Sequence, residues 1–471
     1  MIPVPPPAPA EPSGGARPKT WRCGTLTYTS TGLFILFLWL LWGDFAWAMN
    51  DRSTPGVVQL LLKKFHASDT LAGVLMGSLP ALLGVIVGPI ISYKSDRHRG
   101  RLGRRIPFLL VIIPVAVLGM VSLAFSPRIG ALLHQALGAL SPGLNPSILF
   151  SFSVSWTLFG FAAIVINFIF GALINDVVPR EVLGRFYGAF RALSLIAGMI
   201  FNFWMFGIAE TYYVWIFLGM ATLYGVGFTL MCLKVKEGEY PAIVPMDVGR
   251  DTKGFIQAAR TYLQESFSNP YYQLYFITMG ISWQSFAPIN LFYIFYAEDI
   301  HMNLTVLGRY VTLTYLISLG LSYPLGMLVD RFHPLRVSLV VLFLYVLVTL
   351  PAGLFIRGAT SFAIAWVAHG VLSGAWFTAV ASLGQRLLPK AEFAQFASAG
   401  FIVSSVCTIL VATATGAFLD HMHHVYRHIF DISCGIAVVS VILGVALHGK
   451  FMALGGPKNY VAPEGLAQRP L

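Results

Sequence analysis

The stretch SYKSDRHRGRLGRRIPF, residues Ser92–Phe108, sets seven cationic side chains, counting His98, and one acid within an apolar chain. Overall, 56% of the residues are hydrophobic and 11% are charged, whereas soluble domains carry roughly 25% charged residues. Long apolar runs lie on both sides of the stretch and recur along the chain, whose mean hydropathy is +0.73. The sequence therefore predicts an all-α, multi-pass membrane protein in which Ser92–Phe108 is a loop between two helices.

Twelve apolar runs predict twelve transmembrane helices. Each run exceeds the roughly 18 residues that indicate a membrane-spanning helix. Backbone groups inside lipid must be hydrogen-bonded within the segment, and the runs lack the alternation of barrel strands. The predicted segments are residues 33–62, 71–93, 106–125, 148–174, 186–208, 212–233, 271–296, 304–329, 335–356, 362–388, 393–419 and 429–447.

The distribution of positive charge predicts the orientation of these helices. If both termini lie on one side, 23 of the 31 Lys and Arg residues fall on that side, seven on the other and Arg191 inside a span. Cationic loops are retained in the cytoplasm, so both termini are predicted to be cytoplasmic, and the net charge of +11 requires no nucleic acid. Orientation alone does not explain Asp96, Gly100 and Gly103, so the loop is expected to have a second role.

A polar segment, residues 234–270, divides the chain into two halves with similar motifs. Asp96 and Arg97 follow the second span, and Asp330 and Arg331 follow the eighth. Paired halves of this kind are typical of carriers whose substrate site lies between them. The predicted organisation is a disordered cytoplasmic tail at 1–30, an N-terminal six-helix bundle at 31–233, a cytoplasmic linker at 234–270, a C-terminal six-helix bundle at 271–449 and a cytoplasmic tail at 450–471.

Over residues 30–450 the sequence resembles the major facilitator superfamily. The loop SDRHRGRLGRRIPF looks like the signature of that superfamily between helices two and three. Its form is similar to the loops of the plant sucrose carriers and of the glycoside-pentoside-hexuronide group, which includes the melibiose carrier. The resemblance implies two bundles that alternate between outward-facing and inward-facing states, with loop residues pairing across the bundle interface. The gating residues that it implies are Asp96, Arg97, Arg104, Arg105, Asp330 and Arg331. The alternative is that these charges are solvated and only set the topology.

The first span contains a carboxylate, Asp44, about eleven residues in from Leu33 and thus close to mid-membrane. A charge at that depth costs at least ~2.5 kcal/mol, so a charged residue there is expected to have a structural or functional role. Trp47 lies on the same helical face, and a carboxylate beside an indole suits a sugar, whose hydroxyls donate to the acid while the ring covers an apolar face. The Gly43–Phe45 stretch also resembles the place in the melibiose carrier where a first-helix aspartate binds the sugar. A structural aspartate that caps or bridges helices is the alternative.

Two glycines bear on ion coupling. Gly84 and Gly88 stand where, by resemblance, the melibiose carrier has two sodium-binding aspartates, and glycine offers no side-chain oxygen. The fourth span also lacks the acid that plant-type carriers use for protons. Asp44 is therefore the candidate proton acceptor as well, and transport is expected to be independent of sodium.

Further polar residues inside spans are candidate substrate ligands. Asn167 lies in INFIFGALIND, which resembles the Asn-Ile-Pro-Tyr-Gly-Ala-Leu pattern of the same group, with Ile169 in place of the proline. Arg191 lies in the fifth span, where the resemblance implies an arginine that binds substrate or pairs with a first-helix carboxylate. Interhelical hydrogen bonding and snorkelling to the interface are the alternatives. The candidates from the second half are Trp283, Gln284, Asn290 and Trp376.

Other polar features are interpreted as structural. Asp51 and Arg52 are expected to form a local pair in the outer half of the first span that gates or caps. Four histidines precede the last span and could supply metal ligands, but a solvated interface cluster is favoured and no metal site is predicted. They are His421, His423, His424 and His428. The four cysteines indicate no disulfide framework.

These observations predict a secondary active transporter that moves a sugar or glycoside by alternating access, with Asp44 as the proton-coupling candidate. The runner-up is an exporter or carrier of apolar or amphipathic small molecules, and a non-transporting membrane sensor is less favoured. No enzyme is predicted, because no convergent nucleophile or acid–base set is visible, and no phosphate-binding Gly-x-x-x-x-Gly-Lys-Ser/Thr loop indicates ATP-driven transport. We expect a monomer in a bacterial inner membrane, with lipid, one small-molecule substrate and a proton as partners, and no cofactor.

Overall fold

The computed structural model describes residues 20–240, 260, 262–390 and 392–463. Long α-helices dominate the described chain. One antiparallel hairpin precedes them and consists of β1 (Trp21–Cys23) and β2 (Leu26–Tyr28). The outer parts of both predicted tails and most of the predicted linker lie outside the described residues; they are residues 1–19, 241–259 and 464–471.

The hairpin occupies part of the segment that the sequence predicts to be disordered. Its strands contain residues that favour extended structure, and Gly24 adopts the positive φ of 58° in the two-residue turn. Cys23 Sγ lies 3.2 Å from the carbonyl oxygen of Asp176, a residue in the first half of the helical array. The prediction for residues 1–30 is therefore wrong at 21–28, because local propensity and a tertiary contact outweigh the Pro- and Gly-rich composition.

Six long helices form the first half. They are α1 (Ser30–Lys64), α2 (Asp69–Asp96), α3 (Ile106–Ala124), α4 (Leu144–Val177), α5 (Arg180–Ile200) and α6 (Ala209–Lys234). Hydroxyl caps start the first two: Thr29 accepts the amide of Gly32, and Ser68 accepts the amide of Leu71. A π-helical turn, Val74–Ser78, interrupts α2, and a short helix, Ser126–Leu137, with a 3₁₀ turn, Gly138–Leu140, connects α3 to α4.

The segment Arg180–Lys234 is helical almost throughout, yet it contains two separate helices. At about 1.5 Å per residue, its 55 residues would extend about 80 Å, far more than the roughly 30 Å of a bilayer core. A π turn at Phe201–Met205, a 3₁₀ turn at Phe206–Ile208 and the non-helical Tyr212 separate α5 from α6. Both helices pack against α1.

The second half also consists of long helices. They are α7 (two pieces, Pro270–Gln284 and Ala287–Asp299), α8 (Leu304–Phe332), α9 (Pro334–Phe355), α10 (Ala359–Val380), α11 (Phe393–His421) and α12 (His428–Ala453), with two short helices at Leu383–Leu387 and Gly456–Asn459. The sequence predicts one uninterrupted helix over 271–296, whereas α7 is broken at residues 285–286. Pro288 explains this difference, because it has no amide to donate to the carbonyl of Gln284.

Within the described residues, ten helical stretches are long and apolar enough to cross a membrane. Arg180–Lys234 counts once among the ten although it holds α5 and α6. The two pieces of α7 are 15 and 13 residues long, so neither reaches the required length alone. The twelve predicted segments correspond to these stretches once α5, α6 and α7 are counted separately, and the count itself stays a prediction.

The two halves touch each other most closely at one end. We call this end the α1–α2 face, after the connection at residues 65–68, and the other end the α2–α3 face, after the loop at residues 97–105. Near the α1–α2 face, α2 packs on α11 and α5 packs on α8. Glycines allow the close approach: Gly73 and Gly77 lie directly against Ala412, and Gly308 lies against the backbone of Asn202.

Candidate functional site

A cavity of about 780 Å³ lies between the halves and is walled by α1, α5, α7, α8 and α10. We call it the arginine chamber, because two arginines from the first half line it. Its polar and aromatic lining residues include Asp51, Arg52, Gln59, Arg191, Trp283, Asn290, Tyr293, Thr314, Tyr315, Ser318, Trp366 and Ser373. Most of them come from helix interiors, so the apolar spans enclose a polar space.

A second cavity of about 730 Å³ adjoins the first and extends to the connection between α10 and α11. We call it the amide chamber, because the carboxamides of Asn167 and Gln284 line it together with many aromatic rings. Met279, Trp283, Asn290 and Phe377 line both chambers, so the two spaces meet along α7 and α10. Trp283 stands at this junction with 49% of its surface exposed.

Arg52 is held in place by its neighbours in the arginine chamber. Its Nε and Nη2 each donate to Ser194 Oγ on α5 at 3.2 Å. The guanidinium carbon lies 5.7 Å from the centre of the Tyr315 ring on α8. Asp51 Oδ2 is 3.9 Å from Arg52 Nε, at the outer limit of an ion pair. These contacts fix the guanidinium between the halves and leave it incompletely neutralised.

Gln59 on α1 links the first half to α7. Its Nε2 donates to the carbonyl oxygen of Asn290 at 3.0 Å, while its Oε1 is buried with no hydrogen-bond partner among the described residues. The Asn290 side chain continues into the second half, since its Oδ1 is 3.2 Å from Nε2 of His369. His369 Nδ1 in turn lies 2.8 Å from the hydroxyl oxygen of Tyr345. A buried polar network thus supports the wall of the chamber.

Gln284 shows the same pattern in the amide chamber. Its Nε2 donates to Thr408 Oγ1 at 2.8 Å, and that hydroxyl donates to the carbonyl oxygen of Ser404 at 2.9 Å. The Oε1 of Gln284 is buried and has no hydrogen-bond partner among the described residues. Each chamber is therefore lined by one glutamine whose amide oxygen is buried without a hydrogen-bond partner among the described residues.

The structure brings five of the eight predicted substrate ligands to these chambers and leaves three outside. The five are Asn167, Arg191, Trp283, Gln284 and Asn290. Asp44 lines neither chamber: it is completely buried, and neither carboxylate oxygen has a hydrogen-bond partner among the described residues. Trp47 packs on the ring of Phe190 at 6.0 Å, and Trp376 is buried against Phe286 at 5.4 Å.

Sequence reasoning missed several lining residues. Asp51 and Arg52 do form the predicted local pair, but they face the arginine chamber. Gln59 also lines it, seven residues beyond Arg52 and hence on the same side of α1. This spacing was a usable signal in the sequence. The lining aromatic residues carried no such signal, because Tyr and Trp are common in spans without any binding role.

Three of the four predicted gating residues of the first half, Asp96, Arg104 and Arg105, form a compact ion network at the α2–α3 face. Asp96 pairs with Arg105, whose Nε is also 3.0 Å from Asp176 Oδ2. Arg104 Nη2 is 2.6 Å from the other oxygen of Asp176. Glu237 accepts the backbone amides of Arg104, Arg105 and Ile106 at 2.7–2.9 Å, which anchors the chain after α6 to the start of α3.

The remaining predicted gating residues also make contacts inside their own half. Arg97 lies 3.8 Å from the centre of the Tyr93 ring, and Asp330 pairs with Arg386 at 3.0 Å. Arg331 lies over the ring of its neighbour Phe332 at 5.3 Å. In this conformation the described contacts of these residues do not join the two halves.

At the α1–α2 face a different carboxylate joins the halves, Asp420 at the end of α11. Its Oδ1 accepts the amide of Asp69 at 2.8 Å, and its Oδ2 accepts the amide and the hydroxyl of Thr70 at 2.9 and 2.5 Å. Asp69 in turn is 2.7 Å from His424 Nδ1 and accepts from the hydroxyl of Tyr426 at 3.0 Å. We call these five residues the Asp420 cluster.

The Asp420 cluster also contains one of the four histidines near the start of α12 that the sequence offers as candidate metal ligands. His424 has a positive φ of 63° and precedes α12, so it shares no helical face with His428. His428 instead lies 2.8 Å from Asp431 within α12. Ligand atoms of Asp69, Asp420 and His424 lie within 4.8 Å of one another, but both Asp420 oxygens already accept hydrogen bonds from α2. Hydrogen bonds thus occupy both carboxylates of this cluster, and the absence of a metal site stays a prediction.

The sequence matches the Major Facilitator Superfamily over residues 23–412, well over half of the chain. The chain belongs to this superfamily. It is therefore a membrane transporter, and the predicted major facilitator fold is confirmed. The count of twelve helices, the cytoplasmic position of both termini and the sucrose-carrier and melibiose-carrier subgroup stay predictions. No curated protein matches the sequence.

Solved structures of transporters share this fold. A bacterial homologue of the human lysosomal transporter Spinster is 13% identical, with a TM-score of 0.64 over 92% of this chain and 99% of that one. A D-xylose–proton symporter is 14% identical, with a TM-score of 0.63 over 87% and 97%. A variant of the nucleoside transporter NupG is 10% identical, with a TM-score of 0.65 over 88% and 99%. Identities this low establish the fold of the superfamily member and leave its substrate open.

Proposed function

We propose that the protein is a secondary active transporter that moves a sugar or glycoside across the membrane by alternating access. The supporting observation is the pair of unpartnered amide oxygens on Gln59 and Gln284, one in each half. Trp283 lies where the two chambers meet. Sugars supply hydroxyl donors in several directions together with an apolar face for an indole ring, so one sugar-based ligand meets both demands.

The same observation weighs against a purely apolar substrate. A buried acceptor without a donor costs about 1–3 kcal/mol, and an apolar ligand would leave both amide oxygens in that condition. The aromatic residues of the amide chamber, including Phe168 and Phe401, can cover an apolar part of a ligand. In this respect they favour the alternative of an amphipathic substrate. A glycoside with an apolar aglycone fits both features.

The orientation follows from charge. Because 23 Lys and Arg residues lie on the side of the α2–α3 face and seven on the other, we place the α2–α3 face and both termini in the cytoplasm. The described state is then inward-facing, with the Asp420 cluster closing the external side. The residues of the cytoplasmic ion network, with Arg97, Asp330 and Arg331, would exchange partners when the bundles close on that side. We propose that the protein crosses a bacterial inner membrane twelve times.

Asp44 is the proposed site of proton coupling. A buried carboxylate without a donor or a cation is costly in its charged form, so Asp44 holds a proton in this conformation. Rocking of the bundles would expose Asp44 to solvent in another state and allow the proton to leave. This proposal gives Asp44 a coupling role and assigns the substrate contacts to the residues that line the chambers.

Uptake by the purified protein in liposomes tests this function. A panel of radiolabelled mono- and disaccharides and glycosides is offered with and without an imposed proton gradient. Gln59→Leu and Gln284→Leu should each weaken binding of the transported sugar about tenfold, since one hydrogen bond of about 1.4 kcal/mol is lost. Gln273→Leu, on α7 but outside both chambers, is the matched control. A carrier that moves none of these compounds, or variants with native affinity, would refute the proposal.

A further inference from the structure

We infer that the substrate is bipartite: it carries an anionic group that Arg52 and Arg191 bind in the arginine chamber and an uncharged, apolar-faced unit that occupies the amide chamber. This inference rests on the proposed function and narrows its substrate class. A glycoside whose sugar bears a carboxylate, sulfate or phosphate is the simplest molecule with both parts.

The charge of the arginine chamber gives the first argument. Among the described residues that line it, the ionisable acid and base side chains that are ordinarily charged at pH 7 are two guanidinium groups and one carboxylate, Arg52, Arg191 and Asp51, which leaves at least one positive charge in excess. A charge in the interior of a membrane protein is costly unless a partner or water balances it. An anionic ligand supplies that partner, whereas a neutral ligand displaces water and leaves the excess charge unbalanced.

The contacts of the two arginines give the second argument. Arg52 donates two hydrogen bonds to the neutral hydroxyl of Ser194, and its Nε lies 3.9 Å from the Asp51 carboxylate. Arg191 lines the same chamber from α5 and forms no hydrogen bond or ion pair with the part of the chain that the structure describes. A guanidinium has five donors in a planar fork that matches the oxygens of a carboxylate or phosphate. The fork of Arg191 is therefore available to a ligand.

The contrast between the chambers gives the third argument. The described lining of the amide chamber contains no Asp, Glu, Lys, Arg or His, and its polar groups are amides and hydroxyls beside aromatic rings. Each chamber has a volume in the range of about 300–1,000 Å³ that holds a whole ligand. Because the chambers join at Trp283 and Asn290, one molecule can place its anionic unit in the first and its neutral unit in the second.

Matched ligands test the inference on the purified full-length protein by isothermal titration calorimetry. p-Nitrophenyl β-glucuronide and p-nitrophenyl β-glucoside differ only in a carboxylate against a hydroxymethyl group, and glucuronate lacks the aryl unit. The galacto series and the corresponding glycoside 6-phosphates are measured in parallel. The acidic glycoside should bind at least tenfold more tightly than both the neutral glycoside and the free sugar acid.

Variants then assign each preference to its chamber. Arg191→Gln should remove the preference for the acidic glycoside over the neutral one, Arg191→Lys should restore part of it, and Arg185→Gln, on the same helix outside both chambers, should leave it unchanged. Phe401→Ala should reduce the preference for the aryl glycoside over the free acid and leave the charge preference intact.

The outcomes separate the inference from the proposed function. Equal affinity for neutral and acidic glycosides, or no binding of any acidic glycoside in either series, overturns the inference while transport of neutral sugars would still stand. If p-nitrobenzoate binds as tightly as the glucuronide, the anion preference holds and the sugar assignment fails. A charge preference that survives Arg191→Gln overturns the assignment to the arginine chamber.

Discussion

Replacing Asp420 by asparagine should destabilise the conformation described here. The carboxylate accepts two backbone amides and one hydroxyl from the start of α2, across the boundary between the halves. Asparagine retains one oxygen and presents an amino group in place of the other, so at least one bond is lost and a donor then faces a donor. Hydrogen bonds to a charged acceptor contribute about 1.5–3 kcal/mol each, against about 1 kcal/mol for neutral ones.

The loss of one charged bond and the weakening of two others sums to about 3 kcal/mol. Since about 1.4 kcal/mol corresponds to a factor of ten, the population with the external side open should rise on the order of 100-fold relative to the closed one. The Asp420 cluster keeps the contacts of Asp69 with His424 and Tyr426, which limits the effect. Asp431→Asn is the control, because Asp431 lies near the same face and its hydrogen bond to a side chain, from His428, is within α12.

Hydrogen–deuterium exchange of the protein in lipid nanodiscs measures the effect. Residues 65–78 contain the amides that Asp420 accepts, and residues 303–312 contain Gly308, which packs on Asn202 without touching Asp420. If the halves separate as rigid units, both segments should exchange faster in Asp420→Asn than in the native protein or in Asp431→Asn. Acceleration confined to residues 65–78 would show a lost helix cap without separation of the halves, and unchanged exchange in both segments would refute the energetic estimate as well.

Three further predictions concern coupling and gating. Asp44→Asn should abolish accumulation of substrate against a gradient but preserve counterflow exchange and affinity. Asparagine has nearly the same shape as aspartic acid but cannot bind and release the coupling proton. Full accumulation in proteoliposomes would contradict this prediction. Asp96→Asn should slow transport up to about fivefold with little change in affinity, because it removes a half-exposed carboxylate, worth at most about 1 kcal/mol, that we propose exchanges partners when the bundles close at the α2–α3 face. Parallel loss of affinity at normal expression would count against a gating role. Sodium should not stimulate uptake at fixed pH and membrane potential, because Gly84 and Gly88 offer the ion no side-chain oxygen. Strong stimulation over choline would show a sodium site elsewhere.

The helices were predictable from the sequence because lipid imposes length and apolarity on each segment. The same constraint made Trp283, Gln284 and Asn290 visible, since polar groups within a span are costly unless they serve packing or binding. The break in α7 was not predicted, although Pro288 gave a local reason for it. Helix ends also shifted by a few residues, as for α1, which runs from 30 to 64 where 33–62 was predicted.

The position of Asp44 shows what a single sequence leaves open. Counting residues gives the depth of a side chain in the membrane, but the direction in which it points depends on the packing of the helix. Asp44 and Arg52 are eight residues apart, which at 100° per residue places them about 80° apart around α1. Such a rotation is enough to bury Asp44 away from the chambers and to turn Arg52 into one of them. The partners of α1 decide between these outcomes, and they lie far away in the sequence.

The glycine contacts at the α1–α2 face affect how readily substitutions can change the rate of transport. Where Gly73 and Gly77 meet Ala412, few rotatable side chains are frozen when the surfaces touch and few are released when they part. At these positions closing the external side therefore costs little side-chain entropy, and the polar contacts of the Asp420 cluster add to the stability of the closed side. One substitution there can shift how long the carrier dwells in each state without altering the chambers, so turnover rate and substrate selectivity can evolve separately.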